Sequence, residues 1–310
     1  MLKFLKSRKS EEEPPPIDPA AIVRRARRLQ FRVRPTAVAA LAGAYLSARP
    51  GTGLTFAELR AYEPGDDVRH LDWNVTARQG RPFVRRYVEE RSLNLWLIVD
   101  VSASLRFGPD GQTKADRVAQ AAALLAAAAI QDGDHVGLTL VSDRVEAELP
   151  PGGGPRHLSR LLRMLVVTPA SSRLTDLSAG IARPKRFSRR GLVVVLGDFL
   201  DPGPSAPWRR VGRRGEVIAV RVVDRREEVL PDAGLIALED AETGRRKIVD
   251  SRSGKVRRAY ARSAEQRRKA FRLWTGAASV TPLEISTEED PLGPLLRFFR
   301  SRRDRRPARR

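Results

Sequence analysis

Short apolar runs of strand length alternate with helix-like segments through the middle of the chain. The segments 93–101 (LNLWLIVDV), 192–196 (LVVVL) and 216–223 are almost continuously apolar, as in parallel strands that are buried on both faces. Segment 116–131 is rich in alanine and leucine, which predicts a helix between the first two runs. This alternation predicts an α/β fold with a doubly wound, mostly parallel, Rossmann-like sheet.

The segments on either side of this pattern predict additional parts. A charged run followed by three prolines indicates a flexible leader, and a helix candidate over 19–47 followed by loop-rich, extended residues indicates a smaller α+β module. Two short strand candidates flank a Glu-Thr-Gly turn at 242–244, which predicts a hairpin. The predicted organisation is a leader 1–19, an N-terminal module 20–91, an α/β domain 92–290 that includes the hairpin and a C-terminal helix, and a terminal helix with a basic tail 291–310.

Composition narrows the classes of protein that fit. The 310 residues contain no cysteine, which excludes disulfides and thiolate metal sites and favours a cytoplasmic location. No apolar stretch approaches the roughly eighteen residues that a membrane helix requires. We therefore expect a cytoplasmic protein without a membrane span.

The net charge of +21 comes mainly from arginine, with fifty arginines against eight lysines. The arginines cluster at 24–34, 255–272 and 297–310, and such basic surfaces attract acidic proteins, anionic lipids or nucleic acids alike. Aromatic residues do not interleave with the tail arginines as base-stacking platforms would. An acidic partner is therefore favoured, and nucleic-acid association is kept as the alternative.

Oxygen-bearing side chains follow two of the predicted buried strands. Asp100 ends the first strand, and Ser102 and Ser104 follow at a two-residue spacing that puts all three on one side of an extended segment. Asp198 ends another strand, and Thr175 lies between them in sequence, at the start of a predicted short helix. Ligands of open α/β sheets bind at the carboxyl ends of the strands, and two carboxylates with three hydroxyls suit Mg²⁺.

Each of these residues also has an ordinary structural interpretation. Ser102, Ser104 and Thr175 are residue types that commonly cap helices or form turns, and Asp198 could cap the segment that follows it. The joint placement of Asp-x-Ser-x-Ser after one strand and Asp after another favours the cation site.

Two sets of motifs resemble a known family. DVSAS (100–104), LTDL (174–177) and LGDF (196–199) resemble the metal-ion-dependent adhesion site (MIDAS) of von Willebrand factor A (vWA) domains. Upstream, YEPGDDVRHLDWNVTAR (62–78), within 51–91, resembles the signature that precedes such a domain in the domain-of-unknown-function family fifty-eight. Together, the resemblance covers about residues 30–300.

This resemblance implies a metal-dependent protein-interaction module. It implies that Asp100, Ser102, Ser104, Thr175 and Asp198 hold Mg²⁺, or Mn²⁺, directly or through water, with one position open for an Asp or Glu of an acidic client protein. It also implies work beside a MoxR-type AAA+ ATPase in the assembly or maturation of client proteins.

Segment 62–78 has two interpretations. Arg69, Asp72 and Arg78 could form an ion-pair network that joins the N-terminal module to the α/β domain, with Trp73 as a packing anchor. The same residues could instead form a partner-binding face. A Pro-Gly turn followed by mixed charges has no known catalytic geometry, and the structural interpretation is favoured.

Enzymatic chemistry is not expected. The three histidines are scattered, and neither a Gly-x-Ser-x-Gly elbow nor a nucleotide-binding phosphate loop is present. A Mg²⁺-dependent aspartyl phosphatase of the haloacid-dehalogenase type also places an Asp after a buried strand. Such an enzyme needs a second Asp two residues later, where this chain has Ser102.

Overall fold

A computed structural model describes residues 2–3, 34–47, 54–64, 66–89, 94–109, 112–168, 172–181 and 191–304. The chain divides into a larger unit, residues 1–48 with 94–310, and a smaller unit, residues 49–93. The main elements in chain order are β1 (Leu2–Lys3), α1 (Pro35–Ser47), β2 (Leu54–Ala61), α2 (Trp73–Gln79), β3 (Phe83–Glu89), β4 (Asn94–Asp100), α3 (Lys114–Gln131), β5 (His135–Val141), β6 (Val145–Gly152), α4 (Gly154–Val167), α5 (Leu177–Ile181), β7 (Leu192–Gly197), α6 (Ser205–Gly212), β8 (Glu216–Val223), β9 (Leu235–Glu239), β10 (Arg246–Asp250), α7 (Gly254–Ala278), β11 (Thr281–Ser286) and α8 (Leu292–Asp304).

The larger unit is built on a six-stranded sheet in the order β11-β8-β7-β4-β5-β6. All neighbouring strands are parallel except β6, which runs antiparallel to β5 at one edge. The predicted α/β fold with a doubly wound, mostly parallel sheet is therefore confirmed. A smaller sheet, β1-β9-β10, contains the predicted hairpin.

Each face of the main sheet carries its own hydrophobic core, because successive side chains of a strand point to opposite faces. Along β4, Leu95 and Leu97 pack into one core with α1, α3, α4 and α8. Trp96 and Ile98 face the other core, with α5, α6 and α7. The many alanines of α3 are fully or almost fully buried, and such small side chains let this helix approach the sheet closely.

Helix α1 packs against α3 and α8 and belongs to the larger unit. The sequence interpretation placed these residues in the N-terminal module 20–91, and the structure differs on this point. Val38, Leu41 and Tyr45 form the apolar stripe that joins the core, a long-range contact that local pattern does not reveal. The predicted leader, apart from β1, and the first part of the predicted helix lie outside the described residues.

The smaller unit pairs β2 with β3 in antiparallel register and adds a 3-10 helix, Val68–His70, and α2. Asp72 is buried and caps α2, since its Oδ1 accepts hydrogen bonds from the backbone N–H groups of Asn74 and Val75 at 3.0 and 3.2 Å. Trp73, the first residue of α2, is 71% exposed.

Arg78 and Arg69 complete the set of residues predicted in segment 62–78. Arg78 is exposed in the last turn of α2, where a cation complements the helix dipole. The side chain of Arg69 lies outside the described residues. Among the described helices, none has the length and apolar character that crossing a bilayer requires.

Candidate metal centre

Asp100 and Asp198 lie at the same edge of the main sheet. Asp100 is the last residue of β4, and Asp198 directly follows β7, the parallel neighbour of β4. From β4 the chain winds outward to β5 and β6, and it returns to wind the other way through β7, β8 and β11. The two carboxylates therefore stand at the topological switch point, where open α/β sheets bind ligands.

Gly197 allows the end of β7 to come close to Asp100. A Cβ at Gly197 would stand 2.9 Å from Asp100 Cβ and 3.0 Å from Asp100 Oδ2, closer than carbon atoms tolerate. Glycine is therefore required here for a steric reason, and its small size leaves room beside the Asp100 carboxylate.

Ser102 and Ser104 are buried beside Asp100. The Ser102 backbone N–H donates to Asp100 Oδ1 at 2.8 Å, and the two serine Oγ atoms lie 3.1 Å apart. The segment is not extended as the sequence argument assumed, because a 3-10 helix, Ala103–Arg106, begins directly after Ser102. The tight turn still brings the hydroxyls to the same side as the carboxylate.

Thr175 precedes α5 rather than opening a helix at 175, since α5 begins at Leu177. Its loop is fixed to the end of the sheet, because the Asp176 N–H donates to the Ser142 carbonyl at 2.8 Å. Asp176 Oδ1 accepts from the N–H and hydroxyl of Ser178. Asp176 is thus occupied in capping α5, whereas Thr175 lies in the loop directly before it.

Two oxygens of the predicted set are buried without a hydrogen bond. Among the residues that the structure describes, Asp100 Oδ2 and Thr175 Oγ1 meet no hydrogen-bond partner, although Asp100 is only 1% exposed. Buried polar atoms are normally satisfied, because leaving them unpaired costs free energy. In the described residues no three His, Cys, Asp or Glu are grouped as a metal cluster, and the predicted set has two carboxylates with hydroxyls. These residues fit a small, hard cation.

The electrostatics of the two carboxylates differ. Burial raises the pKa of Asp100 to about 7, and the charge of Asp198 adds to this effect. Burial also acts to raise the pKa of Asp198, but the nearby Lys114 ammonium outweighs it, and the pKa is lowered overall.

Lys114 is a buried, charged residue of the candidate site that the sequence reasoning missed. It is fully buried at the first position of α3, and its Nζ donates to Asp198 Oδ2 at 2.8 Å and to Glu227 Oε1 at 2.9 Å. A lysine at a helix N-terminus opposes the helix dipole, and this unfavourable position was the available signal. When ionised, Asp100, Asp198 and Glu227 exceed Lys114 by two negative charges, which one divalent cation balances.

A cavity of about 360 Å³ opens over Ser104 and Asp198. The turn of the β9–β10 hairpin, through Asp240 and Glu242, forms one wall. The other lining residues include several from β8 and from α7, such as Arg221, Tyr260, Ala264 and Arg267. The cavity gives a ligand a route to the candidate metal position.

Residues 58–270 match a family model described as "Protein of unknown function DUF58". The chain belongs to this family. Relatives of this chain include the uncharacterized protein Rv1480 of Mycobacterium tuberculosis, 35% identical over 295 residues, which are 93% of this chain and 92% of the relative. The uncharacterized protein YeaD of Bacillus subtilis is 28% identical over 111 residues, 36% of this chain and 26% of YeaD.

Two solved structures are similar to this DUF58 chain at low identity. BatB from Bacteroides thetaiotaomicron has a TM-score of 0.44 and 11% identity, covering 69% of this chain and 100% of BatB. The SpRpn10 VWA domain has a TM-score of 0.36 and 12% identity, covering 66% of this chain and 94% of that domain. The fold described above rests on the sheet order of the chain itself.

Proposed function

We propose that this DUF58 protein is a metal-ion-dependent protein-interaction module of the vWA type. Asp100, Ser102, Ser104, Thr175 and Asp198 hold one Mg²⁺ or Mn²⁺ at the switch point of the sheet. The observation that carries the proposal is the pair of buried, unpaired oxygens, Asp100 Oδ2 and Thr175 Oγ1, at the same sheet edge as Asp198.

The chain's own residues fix the donor atoms before any ion arrives. The Ser102 N–H holds Asp100 Oδ1 and leaves Oδ2 available. Lys114 holds Asp198 Oδ2, and the Leu200 N–H donates to Asp198 Oδ1 at 3.3 Å. Such preorganisation lowers the cost of binding, since little side-chain freedom is lost. When bound, the cation supplies a positive position that attracts a carboxylate.

The partner in this proposal is acidic. Helix α7 exposes a basic stripe of five side chains at helical spacing, namely Lys255, Arg258, Arg262, Lys269 and Arg272. A stripe of one sign of charge steers an oppositely charged partner and raises its association rate. We propose a MoxR-type AAA+ ATPase and its client proteins as the partners, with assembly or maturation of the client as the outcome.

The module performs no reaction of its own in this proposal. An aspartyl phosphatase would require a proton-donating carboxyl at the position of Ser102, and Ser102 carries only a hydroxyl beside Ser104. A phosphate-release assay with Mg²⁺ and p-nitrophenyl phosphate should therefore give no signal above that of Asp100→Ala.

The direct test is a calorimetric titration with Mn²⁺ and Mg²⁺. We expect the wild-type chain to bind one ion and Asp100→Ala, shown to be folded by circular dichroism, to bind none. Capture of the purified ATPase encoded in the same genome should then be lost both with EDTA and in Asp100→Ala. A folded wild-type protein that binds neither ion would overturn the proposal. Binding of duplex DNA that is unchanged in Asp100→Ala and lost on deleting 301–310 would favour the nucleic-acid alternative.

A further inference from the structure

The chain turns sharply at Phe199, directly after Asp198. The backbone of Phe199 has a φ of +53°, in the left-handed region that a bulky side chain rarely adopts. Among the described residues other than glycine, Ser279 also has a positive φ, and it ends helix α7, where such a conformation is common. Phe199 follows a strand, so its strained backbone needs another reason. Strain of this kind persists only where the surrounding structure holds it, and it gathers at functional sites.

The ring of Phe199 is held by aromatic side chains of two helices. Phe199 is only 4% exposed, and its ring centroid lies 5.3 Å from that of Phe271 and 5.9 Å from that of Trp274, both in α7. The ring of Trp208, in α6, lies at 6.2 Å. Tilted aromatic pairs at these distances attract one another beyond the gain from burial. A rotation of Phe199 to a negative φ would draw its ring away from these partners, so this aromatic cluster stabilises the strained turn.

Two members of the aromatic cluster also bind the backbone of the loop after the turn. Trp208 Nε1 donates to the Pro202 carbonyl at 3.2 Å, and Trp274 Nε1 donates to the Gly203 carbonyl at 3.0 Å. Trp208 is fully buried and Trp274 is partly buried, and a buried indole N–H that lost its acceptor would cost free energy. Adjacent carbonyls of one loop are thus fixed by two different helices.

The turn also sets the contacts that orient Asp198. The N–H of Leu200, the residue after Phe199, donates to Asp198 Oδ1 at 3.3 Å. On the other side of Phe199, the Asp198 carbonyl accepts from Arg221 Nε at 3.3 Å, and this guanidinium lies 5.1 Å from the centre of the Phe271 ring. Because Phe199 lies between these two contacts, a change of its φ would move the Leu200 N–H away from the carboxylate.

The same loop lies against the loop that carries Thr175. A Cβ at Gly203 would stand 3.3 Å from Asp176 Oδ1, and Asp176 directly follows Thr175. The Gly203 carbonyl is the acceptor that Trp274 holds. The loops of Asp198 and Thr175 are therefore positioned relative to each other through a residue that the aromatic cluster fixes.

We propose that Trp208 and Trp274 are positioning residues of the metal site. Through Phe199 and the two loop carbonyls, they hold the carboxylate of Asp198 in the place that binds the ion. This inference rests on the proposed function. Both indoles act through Asp198, so their loss leaves the set of ligand residues intact.

The expected effect is a loss of ion affinity. Where the loop is free to relax at Phe199, the ion binds only the fraction of molecules that retain the bound conformation, and the apparent affinity falls by that fraction. Replacing a residue that orients metal ligands typically lowers affinity by about ten- to hundredfold. We expect about tenfold here, because the loss of one indole N–H leaves an aromatic ring in place.

The test is a titration of the full-length chain with Mn²⁺, followed by electron paramagnetic resonance. Trp208→Phe and Trp274→Phe each keep an aromatic ring and remove the N–H that holds the loop. Trp96→Phe is the matched control, since Trp96 belongs to the same core and its Nε1 donates to Thr139 Oγ1, on strand β5, at 2.8 Å. We expect Mn²⁺ affinity to be about tenfold weaker in the first two variants and unchanged in the control. The spectrum of the bound ion should also change in the first two variants, because the carboxylate of Asp198 moves.

The outcomes separate this inference from the proposed function. Wild-type affinity and spectrum in both Trp208→Phe and Trp274→Phe would remove the positioning role, while binding of Mn²⁺ by wild type would leave the metal site standing. Failure of wild type to bind Mn²⁺ would remove both. Equally weakened binding in Trp96→Phe would also overturn the inference, since a general loss of core stability would then explain the result.

A measurement on wild type decides the case if a variant does not fold. The chain has four tryptophans, so their indole N–H signals can be followed one by one in NMR spectra. Mg²⁺ should shift the signals of Trp208 and Trp274, because the loop carbonyls that accept from them respond to the ion, and leave the signal of Trp96 unchanged. Signals of Trp208 and Trp274 that do not move at saturating Mg²⁺ would overturn the inference.

Discussion

Replacing Lys114 by methionine tests the charge balance of the site most directly. Lys114 is fully buried, with Asp198 and Glu227 at 2.8 and 2.9 Å from its Nζ. At an effective dielectric constant of about 20, each contact corresponds to about 6 kcal/mol of attraction before desolvation is subtracted. Measured costs of breaking a buried pair are about 3–5 kcal/mol, because the remaining charge is left uncompensated. We expect Lys114→Met to lose about this much unfolding free energy without metal.

The assay is urea unfolding at pH 8, with and without Mg²⁺. In EDTA, urea unfolding should show a loss of about 3–5 kcal/mol of unfolding free energy, and thermal unfolding should show a melting temperature lowered by about 6–20 °C. Adding Mg²⁺ should raise the free energy of unfolding more in Lys114→Met than in wild type, since the ion then supplies the missing positive charge. Lys255→Met, which removes an exposed lysine from α7, should change neither value measurably.

Two results would refute this reasoning. A loss below about 1 kcal/mol in EDTA would mean that Lys114 is not needed to neutralise Asp198 and Glu227. If Lys114→Met loses the expected value of about 3–5 kcal/mol and Mg²⁺ restores none of it, the ion and the Lys114 ammonium do not act on the same carboxylates.

Three further predictions concern the candidate site and helix α7. Folding raises the pKa of Asp100 from 3.8 to about 7. Without metal, the free energy of unfolding should therefore fall as the pH rises from about 4 to 7 and then level off. Urea titrations should show this slope in wild type and not in Asp100→Asn. Below pH 7, Mn²⁺ affinity measured by calorimetry should weaken by up to about tenfold per pH unit, and a flat profile would contradict the assignment. Gly197→Ala should lose about 1–3 kcal/mol of unfolding free energy in urea and bind Mn²⁺ more weakly, because the new Cβ would collide with Asp100. In the control, Gly276→Ala, the new Cβ meets open space, and Mn²⁺ binding should not change. Arg258→Glu with Arg262→Glu should slow association with an acidic partner at low salt in surface plasmon resonance, and a rate that does not change would exclude steering by α7.

The parts of the fold that the sequence predicted are those set by local pattern. The apolar runs of β4, β7 and β8 have the length and composition of strands buried on both faces, and the alanine-rich run became α3. The Glu-Thr-Gly turn likewise identified the β9–β10 hairpin. Helix α1 shows the limit, since its packing on α3 and α8 depends on tertiary contacts that its own residues do not specify.

The residues of the candidate site were likewise predicted where the local pattern was sufficient and missed where long-range contacts define them. The strand ends located Asp100 and Asp198, because in a parallel sheet the carboxyl ends of neighbouring strands meet at one edge. Lys114 and Glu227 were missed because the contacts that define them span 84 and 113 residues of sequence. A lone lysine in an arginine-rich chain carries no local signal of which carboxylate it will meet.

Lys114 places a positive charge inside the proposed site and so bears on how an ion would bind there. Without an ion, Lys114 offsets Asp198 and Glu227, while burial raises the pKa of Asp100 to about 7. A divalent ion would favour the ionised Asp100, so its binding would release a proton. Ionised Asp100, Asp198 and Glu227 together with Lys114 carry a net charge of −2, which the proposed ion would balance, so its open position would meet an acidic partner from a neutral site.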